Sequence, residues 1–161
     1  MLRRARAPDA APVIAHVREV ASERVYLMTE RVHRTVAEER KVFRELAGAS
    51  GLFLVAVVDG KIVGTADFRR GAASKNRHVA QLGLALRKDA RGVGLGTAMM
   101  EMGIDWARSV GIRKLRLGVF ATNRPALALY RRLGFVREGR LRREVVLNGR
   151  PVDEILMALW L

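Results

Sequence analysis

Apolar residues recur along this chain with two periods, near 3.6 and near 2, and the switches between them predict its elements. "LRRARAPDA" reads as a short strand stopped by Pro8, with Asp9 as the N-cap of a helix over "APVIAHVREVASE". "TVAEERKVFRELAGAS" holds Thr35 and Glu38 at capping-box spacing and predicts a second helix ending near Gly48. Between them, "RVYLMTERVHR" suits either a helix or a loop over a cleft. "GLFLVAVVDGKIVGTADFRR" is two β-rich runs around Asp59 and Gly60, the pair that supplies the positive φ angles of a type I′ hairpin. A polar loop from Gly71 to Arg77 leads to another strand, "HVAQLGLALR", and then to the glycine-rich "ARGVGLGTAMM".

Leu95, Met99, Met102 and Trp106 share one helical face that should end near Gly111. "RKLRLGVF" is a strand, and "RPALALYRRLGF" a short helix opened by Pro125 and stopped by Gly134. "FVREGRLRREVVLNGRPVDEILMALWL" predicts two strands around Asn148 and Gly149. No internal repeat, biased segment or linker interrupts this order, so residues 1–161 are expected to form one α/β domain.

Composition narrows the function. Half of the residues are hydrophobic and 29% charged, the balance of a globular protein. No apolar run nears the roughly 18 residues a membrane helix needs, and "MLRRARAPDAAP" has no apolar signal segment, so a cytoplasmic protein without a membrane partner is expected. The absence of cysteine excludes disulfides, thiolate nucleophiles and zinc–thiolate sites. His16, His33 and His78 stand in no ligand spacing, so no metal is expected. Thirty Lys and Arg against 16 acids give a net charge of +14, which attracts nucleic acid, an acidic partner or a phosphate-rich cofactor alike. The charge is spread rather than gathered into an arm, which counts against nucleic acid as the main partner and leaves RNA or ribosome association as a secondary property.

"ARGVGLGTAMM" carries the chemistry. It leaves a strand and enters a helix, where backbone N–H groups without intrahelical partners favour an anion. Glycines at Gly92, Gly94 and Gly96 keep side chains away from those groups, and a pyrophosphate is the best candidate ligand. A Walker loop would need Lys and then Ser or Thr after the last glycine, where Thr97 and Ala98 stand, and a dinucleotide fingerprint would need a glycine at Thr97. The other reading of the stretch is a tight loop with close helix packing.

"RGVGLG" resembles the (Q/R)xxGx(G/A) signature of GNAT-superfamily N-acetyltransferases, with Arg91, Gly94 and Gly96 in the defined places. "NRPALALYRRLGF" is similar to the second hallmark of that family, and the order of elements resembles it from end to end. The resemblance implies a mixed sheet of about seven strands flanked by about four helices, with one strand pair splayed open for the cofactor. It implies acetyl-coenzyme A as acyl donor, its pyrophosphate on the amides of Arg91, Gly92, Val93, Gly94, Leu95, Gly96 and Thr97. It also implies a strand Leu84, Ala85, Leu86 paired with the pantetheine arm, with an amide near Leu84 stabilising the oxyanion.

By the same resemblance Tyr130 gives a proton to the departing sulfur and Asn123 hydrogen-bonds the cofactor arm. From the residues alone, Tyr130 also suits a core aromatic beside Leu127 and Phe135, and Asn123 a turn or capping residue. Gln81 stands where relatives often carry Glu, so deprotonation of the amine falls to water, with Glu30 as a candidate carboxylate; Lys88 replaces a common Pro. The end of the chain resembles members acting on amino acids or protein N-termini. There, Asp153 and Glu154 would either attract an ammonium or pair with Arg142 or Arg143. The expected acceptor is a small-molecule or peptide amine, and a homodimer through the terminal strands is left open. Two other classes stay in play: a non-catalytic acyl-coenzyme A sensor, and an RNA- or ribosome-associated basic protein.

Overall fold

The computed structural model describes residues 1–28 and 33–161. In chain order these form β1 (Leu2–Arg4), α1 (Ala10–Ser22), α2 (Val36–Glu45), β2 (Gly51–Val58), β3 (Lys61–Arg70), β4 (Val79–Leu86), α3 (Leu95–Ser109), β5 (Lys114–Phe120), α4 (Arg124–Arg132), β6 (Val136–Leu147) and β7 (Arg150–Trp160). The seven strands form one sheet in the order β1-β2-β3-β4-β5-β7-β6. All neighbours are antiparallel except β4 and β5.

Both expected hairpins form, because their turn residues take the left-handed conformation that type I′ geometry demands. Asp59 and Gly60 have φ of 47° and 74°, Asn148 and Gly149 of 50° and 75°. β2 is apolar along most of its length because it is covered on both faces. Leu52, Leu54 and Ala56 join the core under α3, while Phe53 and Val55 join a smaller cluster with Val13 of α1 and Val42 of α2. The result is a sheet between two helical layers, α1 and α2 on one side and α3 on the other.

β4 and β5 pair only at Val79–Lys114, Ala80–Leu115 and Gln81–Arg116. Past Gln81 they part, and β4 runs to Leu86 and β5 to Phe120 with no ladder between them. This is the splayed pair the resemblance implied.

Local expectations need correction at three places. Asp9 does stand at the N-cap position of α1, but its side chain does not cap the helix: the carboxylate turns back to accept from the Arg6 amide (2.7 Å) and from Arg3 (2.6 and 2.9 Å), tying β1 to a 3-10 turn over Ala7–Asp9. Thr35 and Glu38 do form the capping box of α2, but the helix ends at Glu45, and the carbonyl of Gly48 instead accepts from the Trp106 indole at 3.1 Å. The buried face of α3 is Gly96, Met99, Met100, Gly103, Ile104 and Ala107 together with Trp106; Met102 lies off it, 38% exposed. The face rotates toward Gly103 because that glycine lets the helix sit on Phe68. A Cβ there would fall 1.9 Å from the Phe68 ring. Arg24 to Met28 form bends without helix or strand, and the rest of that ambiguous segment through Val32 lies outside the described residues.

Gly103→Ala should therefore destabilise the protein by about 1–3 kcal/mol, although alanine is the better helix former. Urea unfolding of the two proteins measures it, and an unchanged midpoint would mean α3 does not rest on Phe68 in this way.

Candidate functional site

Where β4 leaves β5, the backbone of β4 decides what the gap offers. The Arg87 amide donates to the Val63 carbonyl (2.9 Å), and β3 pairs in register as Thr65–Ala85 and Ala66–Leu84. Antiparallel alternation then turns the Gly83 and Ala85 peptide groups toward β3 and those of Leu84 and Leu86 toward the gap. The Leu86 carbonyl accepts from Arg91 (3.0 Å from Nε, 2.7 Å from Nη2). Leu84 thus directs its N–H and C=O into the opening. The Ala85 carbonyl also accepts from His16 Nε2 at 3.2 Å. His16 is 3% exposed, and burial lowers its pKa, so the ring is neutral and its Nε2–H is the donor.

The loop between β4 and α3 uses its three glycines differently. Gly92 and Gly94 have φ of 76° and 84° and are open where a Cβ would stand. Gly94 is the N-cap of α3 and offers no side chain, so the first-turn amides of the helix are left without a side-chain acceptor. Gly96 is buried, and a Cβ there would lie 3.2 Å from Leu129 and 3.3 Å from Leu86. The packing reading of the stretch holds at Gly96; at Gly92 and Gly94 the backbone stays open to an anion.

The Arg91 side chain does something its sequence position did not announce. Its guanidinium grips Glu23 through two bonds (2.9 and 2.5 Å), holds the Leu86 carbonyl, and lies 4.5 Å from the centre of the Tyr26 ring. This joins the end of α1 to the end of β4. Arg91 in turn holds the Glu23 carboxyl below its ordinary value of 4.5.

A cleft of about 540 Å³ runs from this loop to α4. Of the sequence-derived site residues, Leu84, Ala85, Leu86, Arg91, Gly92, Gly94, Gly96, Thr97, Asn123 and Tyr130 all line it. Val93 and Leu95 do not: Val93 is 74% exposed and Leu95 packs against the core, so only their peptide groups belong to the loop. Asn123 Oδ1 accepts from the Ala126 amide (3.3 Å), which makes it the N-cap of α4 and leaves its NH₂ end as the donor. Tyr130 is packed on Phe135, with ring centres 5.6 Å apart, and burial pushes its phenol up to about 12. At neutral pH it keeps its proton.

A second cavity, of about 740 Å³, lies between α1, α2 and the sheet and shares Gly83, Leu84 and Ala85 with the first. The two meet on β4 where its backbone is open. Val13, Val42 and Phe53 give this cavity apolar walls, and Thr65, Asp67, Arg69, Arg34 and Glu39 its polar lining. Asp67 sits across from Gly83 on β3, its Oδ1 2.9 Å from where a Gly83 Cβ would be, and accepts from Arg69 Nε at 2.8 Å. Burial pushes its carboxyl up, against the pull of Arg69. Asp67 was not among the sequence candidates, although a single acid inside the apolar run "VGTADF" was a readable signal.

The other candidates separate. Gln81 is exposed at the last paired rung, in register with Arg69 and Arg116, and lines neither cavity. Lys88 opens a 3-10 turn over Lys88–Ala90. Asp153 is engaged by the Arg140 guanidinium and the Arg143 amide (2.8 Å) rather than by the side chains expected, and these bonds lower its pKa. Glu154 lines the cleft, with its carboxylate over Gly118. Glu30 lies outside the described residues. Among the described residues no group of three His, Asp or Glu side chains is arranged to hold a metal, and no helix is long and apolar enough to cross a membrane.

Residues 16–135 match the model of the Acetyltransferase (GNAT) family. The chain is 32% identical over 109 residues to the L-amino acid N-acetyltransferase AaaT of Escherichia coli, an alignment covering 65% of each chain, so it spans just under two thirds of that relative. A solved GNAT-family acetyltransferase from Streptococcus pneumoniae superposes with a TM-score of 0.95 at 28% identity, covering 100% of this chain and 99% of that one. A phosphinothricin acetyltransferase from Sinorhizobium meliloti, solved with acetyl-coenzyme A, shares the fold at a TM-score of 0.90 and 24% identity, covering 100% of this chain and 88% of that one.

The Arg91–Glu23 contact makes a stability prediction. Because the folded state lowers the Glu23 pKa, its contribution is present above the ordinary carboxylate range and is lost as pH falls through the lowered value. Glu23→Gln should cost about 1 kcal/mol at neutral pH. Denaturant titrations at several pH values should show that gap closing in acid; a gap independent of pH would refute the ion pair.

Proposed function

Because the chain belongs to the GNAT acetyltransferase family, we propose that it transfers the acetyl group of acetyl-coenzyme A to a primary amine by direct attack of the amine on the thioester. The observation that carries this reading is the meeting of two cavities at Leu84, whose peptide group faces the gap between β4 and β5. One cavity takes the donor and the other the acceptor.

The residues suit acetyl-coenzyme A. Open backbone at Gly92 and Gly94 and the uncapped start of α3 match a pyrophosphate, and the +14 charge of the chain draws in the anion. The gap-facing edge of β4 can pair with an amide-bearing arm as a further strand would. The Leu84 amide would stabilise the negative charge that develops on the carbonyl oxygen during attack. Tyr130, protonated at neutral pH and lining the same cleft, would give its proton to the departing sulfur. The NH₂ end of Asn123 would orient the cofactor arm. An amino acid is the favoured acceptor, on the name of the Escherichia coli relative and on the mixed charge of the acceptor cavity, with other small amines and protein N-termini as alternatives.

Calorimetry should detect acetyl-coenzyme A binding. Gly94→Val should weaken it about tenfold or more, since a branched residue at a left-handed position carries roughly 1–2 kcal/mol of strain. A free-thiol release assay over an amine panel should show turnover, and Tyr130→Phe should lower kcat by about 100-fold with donor affinity kept. Binding without turnover on any amine would instead identify an acyl-coenzyme A sensor.

A further inference from the structure

We propose that Asp67 is the group that takes the proton from the acceptor ammonium and so makes the nitrogen nucleophilic. The inference rests on the acetyl-transfer reading and adds to it the base that Gln81 cannot supply. Its ground is placement. Gly83, with no side chain, leaves a hollow on the acceptor face of β4 immediately before Leu84, and the Asp67 carboxylate fills that hollow from β3. It lines the acceptor cavity beside Gly83, one of the residues that both cavities share.

Among the described residues, the other carboxylates near the gap are occupied or set apart. Glu38 accepts from the Thr35 amide, Glu39 from Arg34 (2.9 Å), and Glu45 faces Lys41 (3.8 Å), all on the α2 wall. Glu154 lines only the donor cleft. Among the described residues, the charged groups facing Asp67 are Arg69 on its own strand and Arg34 across the cavity, with His33 in the same wall, while α1 presents only Val13, Ile14 and Val17. Burial raises the Asp67 pKa against these cations, which brings its basicity closer to that of the ammonium it must deprotonate.

The step balances. One ammonium proton passes to the Asp67 carboxylate, the nitrogen forms its bond to the carbonyl carbon, and the carbon–sulfur bond breaks. The sulfur takes the Tyr130 proton. A second proton leaves the nitrogen for solvent as the amide forms, solvent reprotonates Tyr130, and Asp67 releases its proton, so one proton is liberated per turnover.

The test compares wild type, Asp67→Asn and Arg69→Gln across pH, with an amine panel that includes ethylamine and trifluoroethylamine. For wild type, kcat/KM should rise with pH as Asp67 ionises. Asp67→Asn should lose roughly 100-fold at neutral pH, together with that limb of the profile. Arg69→Gln should move the limb to higher pH, because loss of the cation raises the Asp67 pKa further. The Asn variant should recover most of its loss with trifluoroethylamine, which is largely neutral at pH 7 and needs no base. An equal loss on both amines, or an unshifted limb in Arg69→Gln, would overturn the role of Asp67. A wild type silent across the whole panel while binding acetyl-coenzyme A would overturn the transfer reading itself.

Discussion

Everything at the centre of this molecule follows from two strands that stop pairing too soon. A buried peptide group without a partner costs about 1–3 kcal/mol, so a sheet parts in its interior only where something compensates. Here the compensation is local and specific. On the gap edge Arg91 takes the Leu86 carbonyl, while the other edge of β4 stays bonded to β3, where His16 adds a bond to the Ala85 carbonyl. Still facing the gap are the Leu86 N–H and the Leu84 peptide group, the latter engaged by none of these contacts and opening where the two cavities meet.

The supports of that opening are themselves tied down from a distance. Arg91 is held by Glu23 and stacked on Tyr26, which ties the entry of the glycine loop to the end of α1. His16 spans from the middle of α1 to β4, and its Nδ1 has no hydrogen-bond partner among the described residues. A buried unpaired ring nitrogen is a cost, and it accompanies the fixing of Ala85 beside the Leu84 peptide group.

What could be read from the chain was whatever local chemistry decides. Asp59–Gly60 and Asn148–Gly149 specify their turns because few residues accept positive φ, and Thr35 with Glu38 specifies a helix start because the two satisfy each other's orphan amides. The same holds for the run from Arg91 to Gly96, whose spacing is itself the geometry. Long-range partners were not legible. Nothing near Arg91 names Glu23, 68 positions away, and nothing near Gly103 announces the Phe68 ring that displaces Met102 from the buried face. Asp67 escaped notice because its meaning depends on an empty place on the neighbouring strand, a relation between residues that only the β3–β4 register brings together.

The strand order carries a further consequence for how the chain acquires its shape. β7, the last strand in sequence, lies inside the sheet between β5 and β6, and zips onto β5 from Lys114–Trp160 to Phe120–Glu154. During synthesis β5 therefore emerges long before the strand that completes it, and spends that interval with one flank exposed. The first four strands pair with one another and are all made before β5, whereas β5 must wait for a segment that follows α4 and β6. The half of the sheet holding Gly118 and Glu154 is thus complete only once β7 has followed, and until then the open flank of β5 is exposed to misassembly.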